Sequence, residues 1–411
     1  MFFWLFLCMM SFTEFFLFFC FFFFLVLLGF FDLSWFGGSF FFFDSFSFVV
    51  LSFMSVLVLG FVMVTEGFGA LAFYSLLVIF FSVMFFFSGS VLLLYMFYEL
   101  TMIPIIFCLL GFGSQVEKIS ASYYLVFYTM FFSLPYLFFY SRVLSFFNFV
   151  YYDFFFCYEF VFFLSLCFLV KFPVYFFHYW LPKAHVEAPT SASMVLAGVM
   201  LKLGGVGFYR VVKGVNFFGV EFWFIFSLLS MVFCSFICLF QSDCKCLAAY
   251  SSICHMGFVL LSEVSMVYYG KSMALVMMLA HGYTSVLMFY FIGEFYHASG
   301  SRLVYYFRGF FSVNLIFSLV FSFVMMSNFS FPVAISFFSE YVMLNYCVSV
   351  FFFCFFFLIF YYLVSFYYSV YVLVCFFVGF KFEGCLYDGR VFCSLPLFFM
   401  MYNFFWFLFV I

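Results

Sequence analysis

KFPVYFFHYWLPKAHVEAPTSASMVLAGVMLKLGGVGFYR, residues 171–210, places two lysines, Lys171 and Lys202, in an otherwise apolar chain. Its first part, 171–193, is the least apolar stretch of the sequence. It carries Lys171, Lys183, His178, His185 and Glu187, together with Pro173, Pro182 and Pro189. The apolar run 155–187 that contains Lys171 is too long for one straight crossing, and proline removes an intrahelical hydrogen bond. A helix broken near Pro173 is therefore expected. Lys202 lies inside the next apolar run, 190–210. A charge at the centre of a spanning helix costs roughly 2.5–3.5 kcal/mol even on lenient insertion scales. Such placement points to a path for protons or ions. The glycines of LKLGGVG follow no strand, so a phosphate loop does not fit. Close approach of helices explains them better.

The rest of the chain agrees with a membrane setting. Of 411 residues, 70% are hydrophobic and only 7% charged, with a mean hydropathy of +1.34. A soluble domain is about 45–50% apolar and about 25% charged. The fold class is therefore an all-α polytopic membrane protein, with roughly 13 crossings at about 20 residues per span plus loops. Strict alternation of apolar and polar residues is absent, which argues against a barrel. A net charge of −3 without a basic run gives no sign of nucleic acid. No cleavable leader or Arg-rich transit peptide is expected, since Glu14 is the single charged side chain before residue 32. The 93 phenylalanines suggest a thymine-rich codon bias, as in many organellar genomes. The 15 cysteines include no C-x-x-C pair and match no zinc or cluster spacing; they read as small buried apolar residues.

The expected spans are 2–29, 40–64, 68–87, 91–112, 119–140, 155–187, 190–210, 219–240, 247–264, 272–297, 308–350, 351–380 and 391–411. They form one membrane domain, with N-terminal helices to residue 90 and repeat regions at 91–210 and 219–380. A C-terminal helix follows at 391–411. Run 308–350 is the second overlong one and contains Pro332, eight residues before Glu340. Paired interruptions in two halves suggest internal repeats with discontinuous helices at a transport site. Loop cations divide into Lys118, Lys183, Lys245, Arg302, Arg308, Lys381 and Arg390 on one side, and Arg142, Arg210, Lys213 and Lys271 on the other. The positive-inside rule puts the first side, with the N-terminus, in the matrix or cytoplasm.

Four further ionisable residues lie inside apolar runs: Glu99, His255, His281 and Glu340. Glu99, about 12 Å into its span, needs a cationic partner to stay charged. Either Lys171 or Lys202 can serve, and a buried structural ion pair is the alternative to a relay. His255 and His281 occur on neighbouring spans, and Glu340 follows on the next. Histidine is easily recharged by small electrostatic changes, although an isolated one is more often a hydrogen-bonded core residue. His178, His185 and Glu187 fit no standard zinc spacing. They suit either a plain loop or a hydrated access to the embedded lysines.

The quoted stretch, with YELTMIP around Glu99, QSDCKCLAAYSSICHMGF around His255 and HGYTSVLMF from His281, resembles the antiporter-like subunits of respiratory NADH:quinone oxidoreductase, complex I. NFSFPVAISFFSEYVML places Glu340 where sister subunits 2 and 5 typically carry lysine. GFGSQVEKISASYYLVFYTMFFSLPYL likewise resembles the subunit 4 branch. The resemblance implies fourteen helices with two inverted five-helix repeats, each containing a broken helix. Thirteen spans are counted here, with Glu99 on the fourth rather than the fifth. It further implies that Glu99 pairs with Lys171, that Lys202 is the central relay lysine, that His255 and His281 form the second-half relay, and that Glu340 is the terminal acid. His178, His185, Glu187, Pro173 and Pro332 would support them.

The implied activity is proton translocation coupled to NADH:ubiquinone oxidoreduction, as one subunit of a translocase in the mitochondrial inner membrane. NADH, FMN, iron–sulfur clusters and ubiquinone would bind other subunits, and no cofactor or metal is expected in this chain. Partners would be other membrane-arm subunits, especially antiporter-like subunits 2 and 5, and lipids. A stand-alone sodium/proton antiporter would show the same relay. A structural spacer that conducts nothing would tolerate methionine at Lys171 and Lys202.

Overall fold

A computed structural model describes residues 46–143 except 68 and 89, 158–215, 220–265, 268–309, 315–350 except 333, and 352–378. It also describes short pieces at 36–37, 42–43, 396–397, 399–401 and 403–404. The span expected at 2–29, most of 391–411, and Lys381 and Arg390 lie outside the described residues.

Helices dominate because hydrocarbon offers no hydrogen bonds to an open backbone. In order they are α1 (Phe46–Glu66), α2 (Ala70–Phe86), α3 (Val91–Leu100), α4 (Met102–Phe112), α5 (Lys118–Val143), α6 (Tyr158–Lys171), α7 (Trp180–Glu187) and α8 (Thr190–Val195). A π turn, Leu196–Met200, leads directly into α9 (Leu201–Val215). Then come α10 (Val220–Leu239), α11 (Cys244–Val264), α12 (Tyr268–Ser299), α13 (Leu315–Asn328), α14 (Ile335–Val350) and α15 (Phe352–Phe377). The only strands among the described residues are the two-residue pair Phe36–Gly37 and Phe42–Phe43. Six described helices are long and apolar enough to cross a membrane, and three shorter apolar ones accompany them. Within this set an 18-residue stretch of Thr190–Arg210 and one of Tyr269–Ser299 are each 94% buried, whereas those of Glu221–Leu239 and Phe353–Phe377 are 44% and 39% buried. The former are central and the latter peripheral.

Both overlong runs are broken where their prolines lie. After Lys171 the chain leaves the helix through Phe172–Tyr179 and re-forms it at Trp180. The carbonyl of Val170, released by the break, accepts the Trp180 indole N–H at 2.8 Å. Phe176 takes a left-handed φ of 79° within this break. The second break separates α13 from α14, and Ser330 there has φ 62°. The Ser336 hydroxyl donates to the freed Ser327 carbonyl at 3.1 Å. Each break thus has a backbone carbonyl paired by a nearby side chain while ending a helix inside the protein.

The glycine-rich segment works as a contact face. A Cβ on Gly204 would meet the Phe172 backbone N at 2.6 Å, and one on Gly205 would meet Met278 Sδ at 2.6 Å. At Gly204 only glycine lets α9 lie this close to the backbone of the Lys171 break, while at Gly205 the methionine side chain of α12 packs into the space.

Candidate functional site

The first-half site is built on α3 and the end of α6. Glu99 lies within electrostatic reach of Lys171 and near the Ser133 hydroxyl on α5, and its buried Oε1 has no hydrogen-bond partner. The buried Lys171 ammonium makes its direct contacts with Tyr98 instead. It donates to the Tyr98 carbonyl oxygen and sits 3.3 Å from the centroid of the Tyr98 ring. The Tyr98 hydroxyl donates to the Cys167 carbonyl at 2.5 Å, tying α3 to α6. Glu99 and Lys171 are therefore neighbours, and Tyr98, which the sequence reading passed over, holds the cation. Its only sequence signal was its place beside Glu99.

Lys202, His281, His255 and Glu340 lie one after another in the interior. The π turn before α9 widens the helix by a residue, a feature common at functional sites. Lys202 Nζ donates to the Ala197 carbonyl of that turn at 2.6 Å and shares a hydrogen bond of 2.9 Å with His281 Nδ1. The His281 and His255 rings lie 5.7 Å apart between centroids, and His255 Nδ1 is 3.8 Å from Glu340 Oε1. All four side chains are buried. Asn328 faces His255, while Ser330 and Tyr362 face Glu340. Asn328 ends α13 and Ser330 lies in the second break, so the interruption of that helix presents polar groups to His255 and Glu340. Exposed Pro332 sits in the same break on its outer side.

The supporting residues lead toward one end of the bundle. His185 is buried, stacks on Phe289 at 4.5 Å, and lies within electrostatic reach of both Lys202 and Lys245. His178 is stacked between Tyr175 at 5.4 Å and Tyr179 at 4.5 Å, with Tyr250 5.9 Å away. Pro173 lies in the break beside Lys171. A cleft of about 270 Å³ opens at this end, lined by Glu117, Ser120, Lys183, Glu187, Gln241 and Tyr250 among others. Glu187 lies within reach of Arg302 and Lys245, and Arg302 donates to the Val186 carbonyl at 2.7 Å.

Two cations read from sequence as loop residues are buried. Lys245 donates to the Ala188 carbonyl at 2.8 Å. Arg210 donates to Ser88 O at 3.0 Å and to the Phe85 and Phe86 carbonyls, capping the C-terminal end of α2. Their position near span ends hid this, because hydropathy reports depth and not which neighbour covers a side chain. Glu263 on α11 is likewise buried, with Lys271 in electrostatic reach.

Lysine, histidine and glutamate can each take up and release a proton. In a low-dielectric interior the charge on one strongly biases the next. A contiguous buried series of this kind can pass protons stepwise and can answer to a distant change of charge.

The chain matches the protein family described as NADH:quinone oxidoreductase/Mrp antiporter, TM, over residues 88–365. It is 47% identical to NADH-ubiquinone oxidoreductase chain 4 of Ascaris suum, covering 93% of each chain. It is 45% identical to the chain 4 protein of Caenorhabditis elegans, covering 91% of each. The fold is similar to a chain of respiratory complex I from Thermus thermophilus, with a TM-score of 0.76 at 20% identity, covering 89% of this chain and 82% of that one. A chain of the archaeal membrane-bound sulfane sulfur reductase is similar too, with a TM-score of 0.76 at 17% identity, covering 88% and 79%.

Proposed function

Because this chain belongs to the NADH:quinone oxidoreductase/Mrp antiporter membrane family, on the branch of its chain 4 relatives, we propose that Glu99, Lys171, Lys202, His281, His255 and Glu340 carry its protons. The chain is a proton-translocating subunit of respiratory complex I. As part of that translocase it carries out no redox step itself. The observation that carries the relay assignment is the close succession of buried groups from Lys202, hydrogen-bonded to His281, through His255, whose ring centroid lies 5.7 Å from that of His281, to Glu340, 3.8 Å from His255.

Charge rearrangement set off by quinone reduction elsewhere would alter Glu99 and Lys171. Movement of charge at Lys171 would change the balance at Lys202, and the histidines would pass the change to Glu340. The cleft bordered by Lys183 and Glu187 supports a hydrated access, with His185 and Lys245 between it and Lys202. In this reading Glu99, Lys171 and Lys202 serve the 91–210 half, and His255, His281 and Glu340 the 219–380 half. NADH, FMN, iron–sulfur clusters and ubiquinone bind other subunits. The setting is the mitochondrial inner membrane, with antiporter-like subunits 2 and 5 as neighbours. The respiratory names of the relatives support this coupled role over stand-alone sodium/proton exchange.

Two measurements test the proposal. Mildly solubilised membranes are separated on a native gel, stained for NADH oxidation, and this chain is located by mass spectrometry. It is expected in the high-mass, NADH-oxidising band; a small assembly without that activity would favour the independent antiporter. Lys202→Met in the reconstituted complex is then expected to stop proton transfer, and unchanged pumping would sink the relay.

A further inference from the structure

Lys171 is a long, mobile cation with two neighbours that suit it, Glu99 and Tyr98, which are consecutive on α3. Consecutive helical residues point about 100° apart, so one ammonium cannot dock fully on both. The Tyr98 side is firmly built. The ring is buried, its hydroxyl is fixed to the Cys167 carbonyl, and its faces and edges are held by Phe168 at 5.3 Å and Phe85 at 6.1 Å. The ammonium lies over this ring and donates to the Tyr98 carbonyl, while Glu99 Oε1 is left without a hydrogen bond. The Tyr98 hydroxyl is already committed to a backbone carbonyl, so it is poorly placed to carry a proton.

We propose that Tyr98 is a positioning residue whose ring face gives Lys171 a second docking place, so that this lysine alternates between the Tyr98 platform and the Glu99 carboxylate during proton transfer. This rests on the relay reading above. The ring attracts a cation through its negative face, and more strongly when water is excluded. Losing such a contact shifts the docked population by roughly tenfold. The ring adds to the Tyr98 carbonyl as a second favourable contact for a buried ammonium that has left Glu99.

The test uses the whole complex in liposomes, measuring protons moved per NADH oxidised and the amount assembled on a native gel. Tyr98→Phe keeps the ring face and is expected to pump within about twofold of the parent. Tyr98→Leu and Tyr98→Met remove the ring and are expected to lose roughly tenfold in pumping while assembling. Rescue by phenylalanine alone separates a ring-face role from simple packing. Normal pumping in an assembled leucine or methionine variant overturns the proposal. So does an assembled phenylalanine variant that no longer pumps, even if both aliphatic variants fail to assemble. Lys171→Met serves as the separate check on the relay: full pumping there would overturn the relay reading itself, not the Tyr98 assignment alone.

Discussion

Lys202 Nζ and His281 Nδ1 meet at 2.9 Å although 79 residues separate them in sequence. That contact joins α9 to α12. It links Lys202 to the buried cluster of His281, His255 and Glu340. Without it, Lys202 would have only the Ala197 carbonyl as a direct partner among the hydrogen bonds of its ammonium.

Replacing Lys202 by methionine keeps the side-chain length and removes the titratable group. Proton translocation by the reconstituted complex is expected to fall by more than about tenfold, since a relay step loses its carrier. A pH-sensitive dye inside the liposomes reads the result, with NADH oxidation followed in parallel.

His281→Leu takes away the imidazole and leaves a buried ammonium short of a partner. Losing one hydrogen bond to a charged group costs about 1.5–3 kcal/mol. Pumping should fall as severely as in Lys202→Met, and the two changes combined should do little more than either alone. Non-additivity of this kind marks residues that act as a unit. Additive losses would argue that the two residues serve separate steps.

Glu99→Gln preserves shape and removes the negative charge in reach of Lys171. Breaking a buried pair on one side is costly because the other charge stays behind. Coupled activity is expected to drop severalfold, with the complex still assembled on a native gel.

Gly204→Ala tests the close approach of α9 to the Lys171 break. The added methyl would meet Phe172 backbone N at 2.6 Å, where backbone rather than a flexible side chain must yield. Overpacking of this sort costs about 1–3 kcal/mol, so less complex should assemble. Gly111→Ala, with open space around the new Cβ, is the control and should assemble normally.

Much of the architecture was legible before any coordinates. Run length and proline placement located both broken helices, since a proline cannot donate the hydrogen bond that a continuing helix needs. The glycines of LKLGGVG read correctly as a close-packing face. The embedded Lys, His and Glu residues stood out because a charge deep in an apolar span is expensive.

Other features required the packed helices. Hydropathy gives a residue's depth along its helix but not the direction it faces, nor which distant helix lies opposite. Hence Lys245 and Arg210 read as loop cations, yet they are buried on the carbonyls of Ala188 and of the α2 end. For the same reason the residues left Lys171 and Lys202 both open as the partner of Glu99, the family resemblance alone implied Lys171, and neither pointed to Tyr98 as the group that holds the ammonium. The sequence by itself determined that this is a helical membrane chain with charges in its interior. Only the tertiary structure decided their order of contact, because that order depends on side-chain directions and on helix neighbours far apart in the chain.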